Sequence, residues 1–279
     1  MMLNTLKRVN LINLININII KLLKTICFND TDLLEDISTN KRDLNIFIID
    51  FTKLGGFLQM KIDEYLFKNF DYFNNYLNDI LLIRFYQFSN NTITIGKLQK
   101  INEEIIKENK EYLIVRRITG GKAVYHIPKK DLTFSVIANT NIFKKINFNN
   151  ENILNFIHKF FNNLVKETLF SLNINLNKSD TLNKENKDIL NERLMRFDCF
   201  AKPMDFELVY NNQKIVGTAI KIDNTKFILQ ANIKLYLINE SIINQEFIDK
   251  FIQIFYINLY KNFSENLANI SNSFLSSIK

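Results

Sequence analysis

Hydrophobic positions in this chain form two patterns, short apolar runs and longer stretches with helical spacing. Runs rich in Ile, Phe, Val and Thr that end at Asn, Ser or Gly are typical of β-strands. The run NIFIIDF at 45–51 predicts a strand, and the run at 112–115 predicts a buried strand that leads into a Gly-Gly pair. Further strands are predicted at 80–86, 92–95, 133–137, 207–210, 214–222, 226–230 and 233–237.

Helical spacing of apolar residues predicts the helices. In the first of them, Leu58, Ile62 and Leu66 share one face, which leaves Asp63 and Glu64 near the other. Strands and helices mix without a regular βαβ alternation, so the pattern favours an α+β fold over a doubly wound sheet. The predicted helices span 57–67, 101–109, 152–170 and 245–263, and a long polar loop is predicted at 173–191.

The N-terminal segment is basic and carries no acid before Asp30. It is either an organelle targeting peptide or a helix that packs on the body of the protein. The first alternative implies a mitochondrial or plastid location, and a bacterial chain of the second kind would be cytoplasmic. Asn and Lys residues interrupt the apolar stretch 9–28, so we expect no membrane span.

The composition of the 279 residues excludes several kinds of site and partner. The chain has only two Cys and two His, which excludes a disulfide framework and a zinc-ligand cluster, so no metal site is expected. The net charge of +7 suits an acidic macromolecular partner or a phosphate-bearing ligand. It is spread along the chain without an arginine-rich block, so no nucleic-acid partner is expected. Glycine is scarce, with six residues, and each is expected where a side chain would do harm.

The first candidate functional segment is 116–126, RRITGGKAVYH. A strand delivers two arginines and then Gly120 and Gly121, so backbone N–H groups and a guanidinium can face an anionic group such as an acyl phosphate. A tight β-turn flanked by solvated basic residues is the alternative. The segment lacks the pattern of a P-loop.

A second segment places Cys199 at the entrance of a strand, with Lys214 further along a hairpin-like stretch. If the strands pair, the ammonium of Lys214 can approach the sulfur and favour the thiolate, which is the nucleophilic form. A single cysteine is otherwise more often an inert small hydrophobe.

These segments resemble a known superfamily. Residues 116–126, followed by 131–137, are similar to the R-R-x-[ST]-G-G-x-A-V-x-H and L-x-[YF]-S signature of the lipoate-protein ligases and octanoyltransferases. The segment KIVGTA at 214–219 resembles the K-[IV]-x-G-[ST]-A motif of the same superfamily. Upstream, 57–66 is similar to its N-M-x-x-D-E-x-L helix. The residues Arg84, Gly96 and Gln99 fall where its strand pair ends in G-x-x-Q.

The resemblance implies a biotin/lipoate ligase-like catalytic domain, with a mixed, mostly antiparallel sheet flanked by helices. It divides the chain into an N-terminal extension at 1–43, a catalytic domain at 44–240 and a C-terminal helical segment at 241–279. The stretch CFAKPMDFEL at 199–208 is similar to the branch that transfers octanoyl groups through an acyl-cysteine. That branch needs neither ATP nor a metal, whereas a lipoate-protein ligase, the alternative, would use ATP and Mg to form a lipoyl-adenylate.

By resemblance, Cys199 would attack the thioester of octanoyl-acyl carrier protein, and Lys214 would favour the thiolate and steady the oxyanion. The acceptor would be a lysine of a lipoyl domain or of the glycine-cleavage H protein. The residues expected to bind substrate are Arg84, Arg117, Thr119, Gly120, Gly121, Lys122, Ala123, Val124, Tyr125, His126, Gly217, Thr218 and Ala219.

Two departures from the superfamily pattern bear on activity. Lys122 stands where a third small residue is usual, and Gln230-Ala231-Asn232 replaces a Q-H-G segment. A catalytically inactive member that binds carrier domains is therefore a second alternative. Outside the matched motifs, Cys27 is expected to have no catalytic role and His158 is expected to be solvated.

Overall fold

The structure is a computed structural model. It describes residues 45–77, 80–145, 152–178, 197–201, 207–240 and 243–263. The predicted N-terminal extension with Cys27 lies outside these residues, as do most of the predicted loop at 173–191 and the end of the C-terminal segment.

The described residues contain eleven strands, most of them where the apolar runs predict them. In chain order they are β1 (Asn45–Leu54), β2 (Ile80–Phe88), β3 (Thr92–Ile95), β4 (Leu113–Arg116), β5 (Val124–His126), β6 (Leu132–Asn139), β7 (Asn177–Lys178), β8 (Leu208–Tyr210), β9 (Gln213–Lys214), β10 (Val216–Asp223) and β11 (Lys226–Ile233). The helices are α1 (Gly56–Lys68), α2 (Phe70–Leu77), α3 (Glu103–Glu108), α4 (Ile153–Ser171) and α5 (Gln245–Phe263), with short 3₁₀ helices at Thr140–Lys145 and Leu235–Leu237.

A five-stranded sheet with the order β1-β2-β6-β11-β10 forms the centre of the fold. Only β1 and β2 run parallel, and the other neighbours are antiparallel. The prediction of an α+β fold with a mixed, mostly antiparallel sheet flanked by helices is therefore confirmed.

The two faces of this sheet are buried against different helices, because successive side chains of a strand point to opposite faces. Along β2, Leu81, Ile83 and Phe85 belong to the core that includes residues of α4 and α5. Phe85 meets Phe255 of α5 edge to face, with ring centroids 5.3 Å apart. Leu82, on the opposite face, packs in a second cluster with residues of α1 and α2. Each fully buried side chain of this size contributes roughly 1.5–3 kcal/mol of hydrophobic stabilisation.

Two three-stranded sheets contain the candidate functional segments. Their strand orders are β4-β3-β5 and β7-β8-β9. In the first, β3 pairs in parallel with β4 and antiparallel with β5, so the loop between β4 and β5 closes over one end of β3. The second sheet places Lys214 opposite Val209.

Three predictions about individual elements are wrong, and a fourth is described only in part. The predicted strands 226–230 and 233–237 are one strand, β11, up to Ile233, because Asn232 pairs with Thr133 of β6 instead of forming a turn. The run 112–115 is not a buried strand, since Leu113 is 42% exposed and only Val115 is buried. The predicted loop 173–191 is described only up to Lys178, and its last two described residues form the strand β7. Asp63 lies on the buried face of α1, not opposite to it.

Among the residues that the structure describes, no helix is both long enough and apolar enough to span a bilayer.

Candidate active site

The backbone around Cys199 is fixed to the segment that follows the Gly-Gly pair. Ala123 and Asp198 form an isolated parallel bridge. In it, Ala123 N donates to Phe197 O and Cys199 N donates to Ala123 O, both at 2.8 Å. The two segments that the sequence singles out are thus joined directly at the cysteine.

Lys214 reaches the cysteine from β9. Its Nζ lies 3.3 Å from Cys199 Sγ and donates to Cys199 O at 3.0 Å and to Glu207 Oε1 at 2.6 Å. The Lys214 side chain is only 1% exposed, so its ammonium is removed from bulk water and held between the sulfur and a carboxylate. An ammonium this close to the sulfur can stabilise negative charge that develops there during a reaction.

The ring of Phe200, next to the cysteine, lies between two ammonium groups. Lys214 Nζ is 5.3 Å from its centroid and Lys234 Nζ is 4.8 Å from it, within the range of cation–π attraction. A Cβ at Gly217 would lie 2.8 Å from this ring and 3.6 Å from Cys199 Sγ. Glycine at position 217 therefore leaves the room that the ring occupies.

A cleft with an empty volume of about 410 Å³ opens at the cysteine. Of the residues expected to bind substrate or to react, eight line it, namely Arg117, Gly121, Val124, His126, Cys199, Gly217, Thr218 and Ala219. Residues that were not predicted complete the wall: Met60, Tyr86, Thr94, Thr133, Gln230, Ala231 and Asn232.

Arg117 ties the glycine loop together. Its Nη1 donates to Thr94 O at 2.9 Å, and its Nη2 donates to Gly120 O at 2.5 Å and Lys122 O at 2.8 Å. Its Nε donates to Thr119 Oγ1 at 3.1 Å. Burial lowers the pKa of Arg117 to about 10. Most of the guanidinium donors that the sequence assigned to an anion thus bind the protein's own loop.

Close packing explains two glycines of this region. A Cβ at Gly96 would lie 2.0 Å from Gly121 O. Gly121 itself has φ +86°, a left-handed conformation that favours glycine. The loop between β4 and β5 therefore sits directly on the end of β3.

A buried polar network lies behind the cleft and centres on Asp63. Its carboxylate accepts hydrogen bonds from Arg84 Nη1 at 2.6 Å, Tyr86 Oη at 2.8 Å, Ser135 Oγ at 2.8 Å and Gln230 Nε2 at 2.6 Å. Burial, with the nearby Asp63 charge, raises the pKa of Tyr86 well above its ordinary value. Arg84 is 2% exposed and engaged in this network.

Thr119 connects that network to the glycine loop, because its Oγ1 donates to Gln230 Oε1 at 2.7 Å. A continuous set of polar contacts therefore runs from Asp63 through Gln230 and Thr119 to Arg117. It fixes the polar side chains along one wall of the cleft.

His126 is buried in a second polar group. Its Nε2 lies 2.9 Å from Thr94 Oγ1, and its Nδ1 lies 3.1 Å from Asn232 Nδ2 and 3.4 Å from Asp131 Oδ2. The ring stacks on Phe88 at 4.0 Å between centroids. Burial lowers the pKa of His126 in spite of the neighbouring Asp131.

The remaining predicted residues do not line the cleft, although the side chains of Lys214 and Thr119 contact residues that do. Among the described residues, Arg84, Thr119, Gly120, Lys122, Ala123, Tyr125 and Lys214 are not part of the cleft lining. Tyr125 packs edge to face on Tyr112, and its carbonyl accepts a hydrogen bond from Lys234.

The prediction that His158 is solvated is wrong. His158 lies on α4, half-buried against the large sheet, and its Nδ1 is 2.6 Å from Thr218 Oγ1. Burial and the charge of Lys214 lower its pKa. The Thr218 hydroxyl therefore bonds His158.

Sequence reasoning assigned no role to Glu207 or Lys234. Glu207 belongs to the quoted stretch at 199–208. The available signal was its position seven residues before Lys214 in the sequence. Lys234 is 4% exposed, and burial lowers its pKa. Nothing in the sequence distinguishes it from the surface lysines, because its position depends on how β11 runs past Phe200.

A sequence profile of the lipoyl protein ligase A/B catalytic domain matches residues 56–240, which is more than half of the chain. The chain belongs to this family. The match contains the cleft, Cys199 and Lys214.

Two solved structures share the fold. Protein Ta0514 of T. acidophilum with bound lipoic acid aligns with a TM-score of 0.54 and 18% identity, over 78% of this chain and 85% of that chain. Lipoate-protein ligase A bound with ATP aligns with a TM-score of 0.52 and 19% identity, over 78% and 84%.

Similar curated proteins bear the name octanoyltransferase LipM. The protein from Staphylococcus epidermidis is 33% identical over 145 residues, covering 50% of this chain and 48% of the relative. The one from Clostridioides difficile is 31% identical over 170 residues, covering 59% and 56%. The chain thus matches about half of the length of these relatives.

Proposed function

We propose that the chain is a cysteine-dependent octanoyltransferase of lipoate assembly, with its catalytic domain at 44–240. The observation that carries the proposal is the 3.3 Å approach of Lys214 Nζ to Cys199 Sγ beside the cleft. The octanoyltransferases among the similar proteins support the choice of acyl group.

In the first step, the Cys199 thiolate attacks the carbonyl carbon of an octanoyl thioester on acyl carrier protein. A new C–S bond forms, the bond to the donor sulfur breaks, and the donor leaves as a thiolate that takes a proton from water. Lys214 faces the reacting sulfur and stabilises negative charge there. Exchange of one thioester for another is close to thermoneutral, so the step requires no ATP.

In the second step, the neutral amine of an acceptor lysine attacks the acyl-cysteine. A C–N bond forms, the C–S bond to Cys199 breaks, and the proton lost by the amine goes to solvent while the thiolate is regenerated. The proposed acceptor is a lipoyl domain or the glycine-cleavage H protein. A net charge of +7 favours association with acidic carrier domains.

The test is intact-mass spectrometry of the full chain after addition of octanoyl-acyl carrier protein. We expect one octanoyl adduct on the wild type and on Cys27→Ser, which removes the other cysteine, and none on Cys199→Ser. Transfer to a lipoyl domain should follow and should not respond to ATP. Release of pyrophosphate from ATP and free lipoate, without an adduct on Cys199, would assign the chain to the ligases instead. Binding of the lipoyl domain with neither reaction would identify an inactive member.

A further inference from the structure

Lys214 is held by a second side chain besides the cysteine. Its Nζ donates to Glu207 Oε1 at 2.6 Å, its shortest hydrogen bond, and the two side chains are 1% and 13% exposed. The remaining donors of the ammonium point to Cys199 Sγ and Cys199 O. All three N–H groups of Lys214 thus have an acceptor, and two of the acceptors belong to the nucleophile.

A buried ammonium of this kind depends on a counter-ion. Removing a charge from water costs several kcal/mol, and a lysine without a nearby anion tends to lose its proton instead. When Cys199 is a neutral thiol or carries an acyl group, its sulfur offers no negative charge. Among the residues that the structure describes, Glu207 is then the carboxylate in direct contact with Lys214.

We propose that Glu207 is a positioning residue for the reaction, which holds the Lys214 side chain aimed at Cys199 Sγ. The site is then a Cys199–Lys214–Glu207 triad, in which the acid orients the group that activates the nucleophile. Catalytic triads have the same organisation, in which a carboxylate orients the side chain that activates the nucleophile. The inference rests on the proposed function for its role in turnover.

The fold supports this role through the backbone. Ile215 N donates to Leu208 O at 2.9 Å, and Val209 pairs with Lys214, so the residues that follow Glu207 are fixed to the strand of the lysine.

Two other titratable groups, Asp198 and His158, interact electrostatically with Lys214. Lys234 and Arg117 interact with Cys199 in the same way.

The experiment is a double-mutant cycle on the alkylation of Cys199 by iodoacetamide, measured across neutral pH in a Cys27→Ser background. The variants are Lys214→Met, Glu207→Gln and the pair together. We expect each single change to slow alkylation by about 10-fold or more near neutral pH, because the ammonium is then absent or no longer held at the sulfur. In the Lys214→Met background, Glu207→Gln should have no further effect, because its action passes through the lysine.

Glu207→Asp keeps the carboxylate and should fall between the wild type and Glu207→Gln. Glu246→Gln, which removes a carboxylate from an exposed ion pair with Lys250 on α5, is the matched control and should leave alkylation unchanged. In the transferase assay, Glu207→Gln should lower kcat with little change in KM for the acyl donor.

An equal loss from Glu207→Gln with and without Lys214 would overturn the proposal, since it would mean a general structural role. An unchanged alkylation profile in Glu207→Gln would overturn it as well. Failure of the octanoyltransferase assignment alone would be recognised separately, because the alkylation cycle requires no acyl donor.

Discussion

Arg84 Nη1 donates to Asp63 Oδ1 at 2.6 Å, and the two side chains are 2% and 0% exposed. The carboxylate also accepts from Gln230, which lines the cleft, so this buried ion pair supports the wall of the site. The Asp63–Arg84 ion pair therefore contributes both to the stability of the domain and to the position of Gln230 in the cleft wall.

Replacement of Asp63 by Ala should destabilise the protein strongly. It leaves the Arg84 charge buried without its acid, which typically lowers the free energy of unfolding by about 3–5 kcal/mol. Urea unfolding measures the change. Glu246→Ala, at an exposed ion pair, should leave the transition in place, and an equally small effect of Asp63→Ala would show that the buried pair contributes little.

A methyl group at Gly96 should be poorly tolerated. The added Cβ would lie 2.0 Å from the Gly121 carbonyl oxygen, so the backbone of the glycine loop must move. We expect Gly96→Ala to lower the free energy of unfolding by about 1–3 kcal/mol and to slow acylation of Cys199. Gly120→Ala is the control, since a Cβ there meets no atom within 4 Å, and similar losses in both variants would contradict the steric argument.

Lys234 should contribute to the reactivity of Cys199. Lys234→Met keeps a similar shape but removes a buried positive charge from the ring of Phe200 and from the surroundings of the sulfur. Alkylation of Cys199 near neutral pH should slow by roughly threefold to tenfold, as expected for a charge interaction of about 1 kcal/mol. Lys221→Met, which removes a cation–π contact with Phe67, should have no such effect.

Stability should fall when the pH drops below about 6.5, the ordinary pKa of a histidine. Burial lowers the pKa of His126 in the folded state, so the unfolded chain binds more protons between the lowered value and 6.5. His126 therefore destabilises the fold progressively across that window as the pH falls. His158, whose pKa is also lowered, acts in the same direction.

Urea unfolding at a series of pH values measures this slope. His126→Gln removes the titrating group and should flatten the profile between pH 6.5 and the acid limit, leaving the part that His158 contributes. An unchanged slope would show that His126 takes up its proton in the folded state as readily as in the unfolded chain.

The sequence predicted the elements whose pattern is local. Apolar runs located β1, β2, β3 and β6, and helical spacing located α5 with both of its ends. The hairpin-like spacing of Cys199 and Lys214 in the sequence suggested that the ammonium could approach the sulfur, and the two atoms lie 3.3 Å apart.

Features that depend on packing between distant segments could not be predicted in this way. The sequence pattern predicts that Asp63 faces solvent. It cannot show that Arg84 and Tyr86, on the distant strand β2, donate hydrogen bonds to the Asp63 carboxylate. His158 looks exposed for the same reason, since its partner Thr218 lies on a distant strand. Asn232 suggests a turn, yet its amide reaches Asp131 Oδ2 at 2.7 Å inside a continuous strand.

The bridge between Ala123 and Asp198 has a consequence for how the site is assembled. Cys199 obtains its backbone partner from Ala123 and its ammonium neighbour from Lys214, and these residues come from opposite sides of it in the sequence. The contact between Lys214 Nζ and Cys199 Sγ therefore belongs to the folded chain, in which segments from both sides of the cysteine have docked.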